Sequence, residues 1–219
     1  MNDSHRAVLL LEILLFVGVM AAGWICGSSP VVTSFAAGFV EQLLNPPTPA
    51  AASHAAAPGT LSTAFDPAVR RWETEVLAWS ATYQLDPTLV ATIMQVESCG
   101  DPDAVSSSGA QGLFQVMPFH FAAGEDMTDP QTNATRGLGF FADCLQRAGG
   151  DLQLALAAYN GGQDLINVSS AYWPAQTRDY TTWGVGIFTD VNNGLNPSPT
   201  LERWLAAGGA SLCRQAAEH

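Results

Sequence analysis

Beyond residue 65 the apolar positions of the chain fall at helical spacing, and most of these stretches open on an aspartate. Asp66-Pro67 opens AVRRWETEVLAWSATYQL, in which Trp72, Val76, Trp79 and Tyr83 recur at alternating steps of four and three. An aspartate followed by proline is a start signal with a mechanism. The carboxylate accepts from an amide that the helix leaves unpaired, and proline brings no amide of its own. Asp86-Pro87 opens TLVATIMQVESC, closed by Gly100. Asp129-Pro130 opens QTNATRGLGFFADCLQRA, closed by Gly149-Gly150, and Asp151 caps LQLALAAYN, closed by Gly161-Gly162. A further helix is predicted from about Gln176 to Val191, and Thr200 caps a last short one through Leu205. Few runs alternate with a period of two. The predicted class is therefore mainly α, with loops at 101–112 and 119–128 and room in the second for a small irregular or β element.

The N-terminal pattern differs. Residues 7–26 are apolar except for Glu12, long enough to span a bilayer. Arg6 precedes the run and the next basic residue is Arg70, which places the N-terminus in the cytoplasm and the rest outside. A single-pass anchor is expected, with secretion after signal cleavage as the alternative, since small residues follow at Ala21-Ala22 and Ala36. Residues 45–63 are rich in Pro and Ala and carry no charge or periodicity, as a semi-extended spacer would. The division expected is a transmembrane or signal segment at 1–27, a Pro/Ala-rich linker at 28–64 and a globular domain at 65–219.

Charge narrows the partners. The 219 residues carry a formal net charge of −12, with eight arginines and no lysine. No basic patch is present to neutralise phosphates, so nucleic acid is not an expected partner. The four histidines are scattered and no CxxC spacing exists, so no metal or cofactor is expected. Of the four cysteines, Cys99, Cys144 and Cys213 lie in the exported part, where disulfides persist, and an odd count leaves one unpaired.

One carboxylate is out of place. Val90, Ile93, Met94 and Glu97 share a face of the helix that starts at Pro87, so Glu97 projects from an apolar surface. Desolvation disfavours its charged form, and the partial negative charge of the helix C-terminus acts in the same direction. Such a carboxyl holds a proton at neutral pH and can deliver it as a general acid. Periodicity alone still favours a structural carboxylate satisfied by an arginine or by amides.

Four blocks in order change that balance. They are Glu97-Ser98, GAQGLFQVMP (109–118), AAYNGG (157–162) and AQTRDYT (175–181), with DPQTNATRGLGFF between the second and third. Together they resemble the soluble lytic transglycosylase (SLT) domain, a lysozyme-like family related to goose-type lysozymes. The resemblance spans roughly residues 65 to 191. It implies a lysozyme-like helical domain preceded by the anchor or signal segment. Glu97 takes the place of the sole catalytic acid/base. Ser106, Gln115, Met117, Tyr159 and Asn160 take the places of groove residues, and Tyr180 that of a tyrosine near the catalytic carboxyl. Each also has a bland reading: Met117 as core filler, the tyrosines as a core edge, Gln115 and Asn160 as polar groups in need of partners. The chain departs from the family at Phe114, at Cys99-Gly100, and in QDLINVSSAYW after the third block.

The activity implied is cleavage of the bond between N-acetylmuramic acid and N-acetylglucosamine in peptidoglycan, by a monomer acting on glycan strands. The product carries a 1,6-anhydromuramoyl end. A goose-type hydrolase would need a second carboxylate, for which Asp101, Asp103, Glu125 and Asp126 are candidates by order. A non-catalytic wall-binding module is the reading from another class. If Cys99 is bridged, its partner is Cys144 or Cys213, with Cys144 preferred because its helix is expected to pack beside the one that carries Glu97.

Overall fold

The computed structural model describes residues 60–218. The apolar run at 7–26, Cys26 and most of the Pro/Ala-rich spacer lie outside those residues. The described residues form α1 (Pro67–Arg70), α2 (Glu73–Tyr83), α3 (Pro87–Glu97), α4 (Pro130–Arg147), α5 (Leu152–Gly161), α6 (Ala175–Asn192), α7 (Pro199–Trp204) and α8 (Ala210–Ala216). The mainly helical class holds, and the aspartate caps form as the sequence predicts. Asp66, Asp86, Asp129 and Asp151 each accept through Oδ1 from an amide two or three residues on.

Helix α3 is the centre of the core. Every residue from Leu89 to Gln95 is buried, and the helix packs against α1, α2 and α6. A helix apolar nearly all round belongs inside, and each fully buried Ile or Met contributes about 2 kcal/mol over an exposed one. Helix α4 packs on α2 and α5, α5 on α6, and α6 on α7. The core reaches back to Leu61, whose amide donates to Glu73 Oε2 at 2.8 Å.

Four expectations are corrected. The helix opened at Asp66 is two, broken at Arg71-Trp72. Both side chains at the break donate to the Gly100 carbonyl, Arg71 through Nη2 and Trp72 through Nε1, each at 2.9 Å. A bond to a distant carbonyl overrides the local period there. The last helix is capped by Ser198 rather than Thr200, with Pro199 in its first turn. It continues beyond Leu205 into α8 across a kink at Gly208, whose φ of 133° is not helical. Gly209 makes that continuation possible, since a Cβ on it would lie 2.4 Å from the Trp204 ring. The small non-helical element sits in the earlier loop, where Gln111 bridges both Val105 and Val116, while the later loop begins with a 3₁₀ turn at Pro118–His120.

The fourth correction concerns the cysteines. Cys99 is bonded to Cys213 on α8, with the Cα atoms 5.0 Å apart, and Cys144 is free and buried. Cys144 faces the α4–α5 side, where Gln163 Nε2 lies 3.9 Å from its sulfur and burial pushes its pKa up to about 11. The preferred pairing thus gives way to the other one, because α8, beyond the last helix the sequence predicts, brings Cys213 to the end of α3.

Candidate active site

Glu97 is the last residue of α3, and it lies on the wall of a cleft of about 480 Å³. Ser106, Gln115, Met117, Tyr159 and Asn160 line the same cleft. Among the described residues that line it, Glu97 is the only acid and none is an arginine. The carboxyl is thus desolvated without an opposite charge to compensate. Its pKa rises from 4.5 to about 8, chiefly through burial, with the nearby Tyr180 hydroxyl pulling the other way. At pH 7 the group is a neutral acid.

Tyr180 stands apart from the other candidates. It comes from α6, is 8% exposed and does not line the cleft. Its hydroxyl is near enough to affect Glu97, yet the two share no hydrogen bond of ordinary geometry, and the hydroxyl is buried without a partner. Burial, then the Glu97 charge, pushes the Tyr180 pKa well above the usual tyrosine value, so it is a neutral donor beside the carboxyl.

The loop wall of the cleft is held by side chains that bond to backbone. Ser98 Oγ donates to the Leu113 carbonyl at 2.8 Å and accepts from the Gly100 amide at 3.1 Å. Ser106 Oγ accepts from the Ala110 amide at 2.9 Å. Gln115, at φ 46°, donates through Nε2 to the Ala104 and Gly112 carbonyls, each at 3.0 Å. Its amide hydrogens are therefore committed to the loop, which leaves Oε1 as the group it can present to a ligand. Met117 lines the cleft at the end of this segment.

The helical wall comes from α4, α5 and α6. Tyr159 Oη donates to the Phe114 carbonyl at 2.7 Å, tying α5 to the loop wall. Asn160 Oδ1 accepts from Thr177 Oγ1 at 2.9 Å, so its amide nitrogen is the free half. Gly137 on α4 allows these walls to close. A Cβ there would lie 2.7 Å from Phe114 Cβ and 3.1 Å from Tyr159 Oη.

Several residues escaped the sequence reading. His120, Phe140 and Gln176 also line the cleft. Behind it, buried Asn133 holds the loop to α4. Its Oδ1 accepts from the Phe114 amide at 2.9 Å, and its Nδ2 donates to the Gln111 and Met127 carbonyls at 2.7 and 2.9 Å. A signal for it existed: Asn133, Gly137, Phe141 and Cys144 recur at helical spacing and form the buried stripe of α4. A polar residue on such a stripe needs partners.

The carboxylates proposed by order for a second role are elsewhere. Asp101 is buried and accepts from the Asp103 amide at 2.9 Å. Glu125 is paired with Arg136, and Asp126 caps its own turn through Thr128. None of the four lines the cleft.

Residues 75–179 match the profile of the family described as the transglycosylase SLT domain. The chain is 41% identical over 116 residues to a protein named transglycosylase from Enterobacteria phage PRD1, across 52% of this chain and 41% of that one. It is 33% identical over 105 residues to membrane-bound lytic murein transglycosylase C of Edwardsiella ictaluri, across 38% of this chain and 29% of that one. The chain thus spans less than half the length of these curated relatives. An X-ray structure of an inactive mutant of the lytic transglycosylase Slt from Pseudomonas aeruginosa superposes with a TM-score of 0.47 at 21% identity, covering 58% of this chain and 25% of that one.

Proposed function

We propose, from the match of residues 75–179 to the transglycosylase SLT domain family, that the chain is a lytic transglycosylase of peptidoglycan with Glu97 as its single acid/base. The observation that carries this reading is a lone carboxyl in a cleft, with its pKa raised to about 8 and no second carboxylate beside it.

The chemistry follows from that protonation state. Protonated Glu97 gives its proton to the oxygen that links N-acetylmuramic acid to N-acetylglucosamine, and the bond to the muramoyl C1 breaks. The substrate's own acetamide stabilises the cation that develops. The carboxylate left behind takes the proton of the C6 hydroxyl, and that oxygen closes on C1. The product is a 1,6-anhydromuramoyl end, with Glu97 reprotonated and no water consumed. An ordinary glycosidase needs a pair of carboxyl groups at a set separation, and the cleft offers one. That favours ring closure over a goose-type hydrolysis.

Binding roles go to the polar atoms left over after the walls are built. Gln115 Oε1 and the Asn160 amide suit hydroxyl and acetamide groups, Ser106 a muramoyl substituent, and Met117 an apolar sugar face. Tyr159 and Tyr180 surround the carboxyl with neutral hydroxyls. Residues 65–219 act as the catalytic domain, a monomer held outside the cytoplasm by the apolar segment at 7–26. Among the described residues no helix is long and apolar enough to cross a membrane, so the tether rests on sequence alone.

Mass spectrometry of peptidoglycan digested by the full chain is the test. Anhydromuramoyl ends are expected, with Glu97→Gln reducing their formation at least about a thousandfold. Reducing ends without the anhydro sugar would establish hydrolysis instead. Strand binding without any bond cleavage by the parent chain would leave a binding module.

A further inference from the structure

A row of rings leads out of the cleft, and packing does not account for its outer end. Tyr159 lies 5.8 Å from Phe140 by ring centroids, Phe140 4.7 Å from His120, and His120 4.5 Å from Phe119. Tyr159, Phe140 and His120 line the cleft, whereas Phe119 lies beyond the lining and is 75% exposed. A single exposed phenylalanine is ordinary on a protein surface. This one continues a ring series that begins beside the carboxyl.

The backbone that carries the outer rings is fixed by a turn. Pro118 opens the 3₁₀ turn, in which the His120 amide donates to the Met117 carbonyl at 3.0 Å and the Phe121 amide to the Pro118 carbonyl at 3.2 Å. Burial lowers the His120 pKa below its ordinary value, which favours the uncharged imidazole between its two tilted neighbours. The ligand chemistry can be read from the mixture of groups. Rings on one stretch and the hydroxyls of Ser106, Ser107 and Ser108 in the same cleft suit a molecule with an apolar face and a polar rim. A pyranose has both. A lipid would leave the serine hydroxyls without partners, and a charged peptide would meet no opposite charge, since Glu97 is neutral at pH 7.

We propose that Phe119, His120 and Phe140 form a stacking ledge for a saccharide of the glycan strand outside the pair whose linkage is cleaved. This inference rests on the transglycosylase reading, because it takes the strand to run along the cleft. The ledge determines how long a strand the protein grips. It contributes binding that is the same in ground state and transition state.

Calorimetric titration of the full chain with purified peptide-free glycan strands tests it, using Glu97→Gln as host to prevent turnover. Phe119→Ala in that host is expected to weaken binding about tenfold, as the loss of one ring contact would. Phe119→Trp is expected to keep the affinity or tighten it. In the active chain, Phe119→Ala should raise KM with kcat unchanged. Equal affinity of the Phe119→Ala and parent hosts would overturn the ledge and leave the transglycosylase reading intact. Failure of the Glu97→Gln host to bind any strand, together with no anhydro product from the active chain, would overturn both.

Discussion

Helix α3 begins and ends in different ways. At its start, Asp86 Oδ1 accepts from the Thr88 amide at 2.7 Å and Pro87 fills the first turn. The helix start needs only adjacent residues. At its end the ties come from far along the chain. Cys99 and Gly100 have φ of 51° and 84°, and a Cβ on Gly100 would sit 2.4 Å from the Ala68 carbonyl oxygen. The Gly100 carbonyl accepts from Arg71 and Trp72, Ser98 bonds to Leu113, and Cys99 is bonded to Cys213. A helix start that only needs to exist is made locally. An end that must hold an unpaired carboxyl at a cleft wall is fixed from several directions at once.

The largest break in this comparison is the disulfide. It closes a loop with a sequence separation of 114, for which chain entropy alone gives about 4 to 5 kcal/mol. Cys213→Ala is expected to lower the unfolding free energy by about 4 kcal/mol in urea titration. Hydrogen exchange should quicken at 98–101 and much less at 88–89. A loss under about 1 kcal/mol would mean that the bonds to Gly100 and Ser98 suffice to hold the end.

Next in size is the carboxyl itself. Its pKa is 4.5 in an unfolded chain and about 8 in the fold. Below pH 4.5 it is protonated in both states and has no effect on stability through its charge. As pH rises towards 8 the unfolded chain releases the proton and the folded one keeps it, so stability falls by about 1.4 kcal/mol per pH unit and then levels off. Glu97→Gln removes that loss. The variant is expected to be more stable by about 3 kcal/mol at pH 7 and no more stable at pH 4, as thermal or urea unfolding at the two values will show. A difference independent of pH would mean that the carboxyl ionises in the fold at its ordinary value. Activity and stability should therefore move in opposite directions at this position.

The same contrast explains what was legible in the sequence. The starts of α3, α4 and α5 were readable because an aspartate and the amides it caps are neighbours along the chain. The break between α1 and α2 was not, because the carbonyl responsible belongs to Gly100 and no local pattern records it. Cys99 was a visible candidate for a bridge, but its partner depended on where α8 packs, and α8 follows a kink at Gly208 that ordinary helical spacing does not anticipate. The cleft divided in a similar way. Glu97 was conspicuous as an acid on an apolar face, and the ordered motifs pointed to its neighbours. His120 and Phe140 look like core residues in sequence, and only the fold places them on the cleft. Asn133 was hidden for the opposite reason: its three bonds all go to the backbone of residues outside its own helix.

The smallest effect sharpens the comparison most. Asp86→Ala removes one cap bond and is expected to cost about 1 kcal/mol, while Asp86→Asn keeps most of it. Eleven helical residues separate this cap from the far end, a distance of about 16 Å at 1.5 Å per residue. Substitutions that far apart without shared partners add within about 0.5 kcal/mol. Asp86→Ala combined with Cys213→Ala should therefore lose the sum of the single losses, and the midpoint at which Glu97 titrates should be unchanged by Asp86→Ala alone. The side-chain carbon shift of Glu97 followed against pH measures that midpoint directly. If the cap substitution moved it, fraying at the start would be reaching the carboxyl along a helix buried over most of its length, and the two ends would be one cooperative unit rather than two.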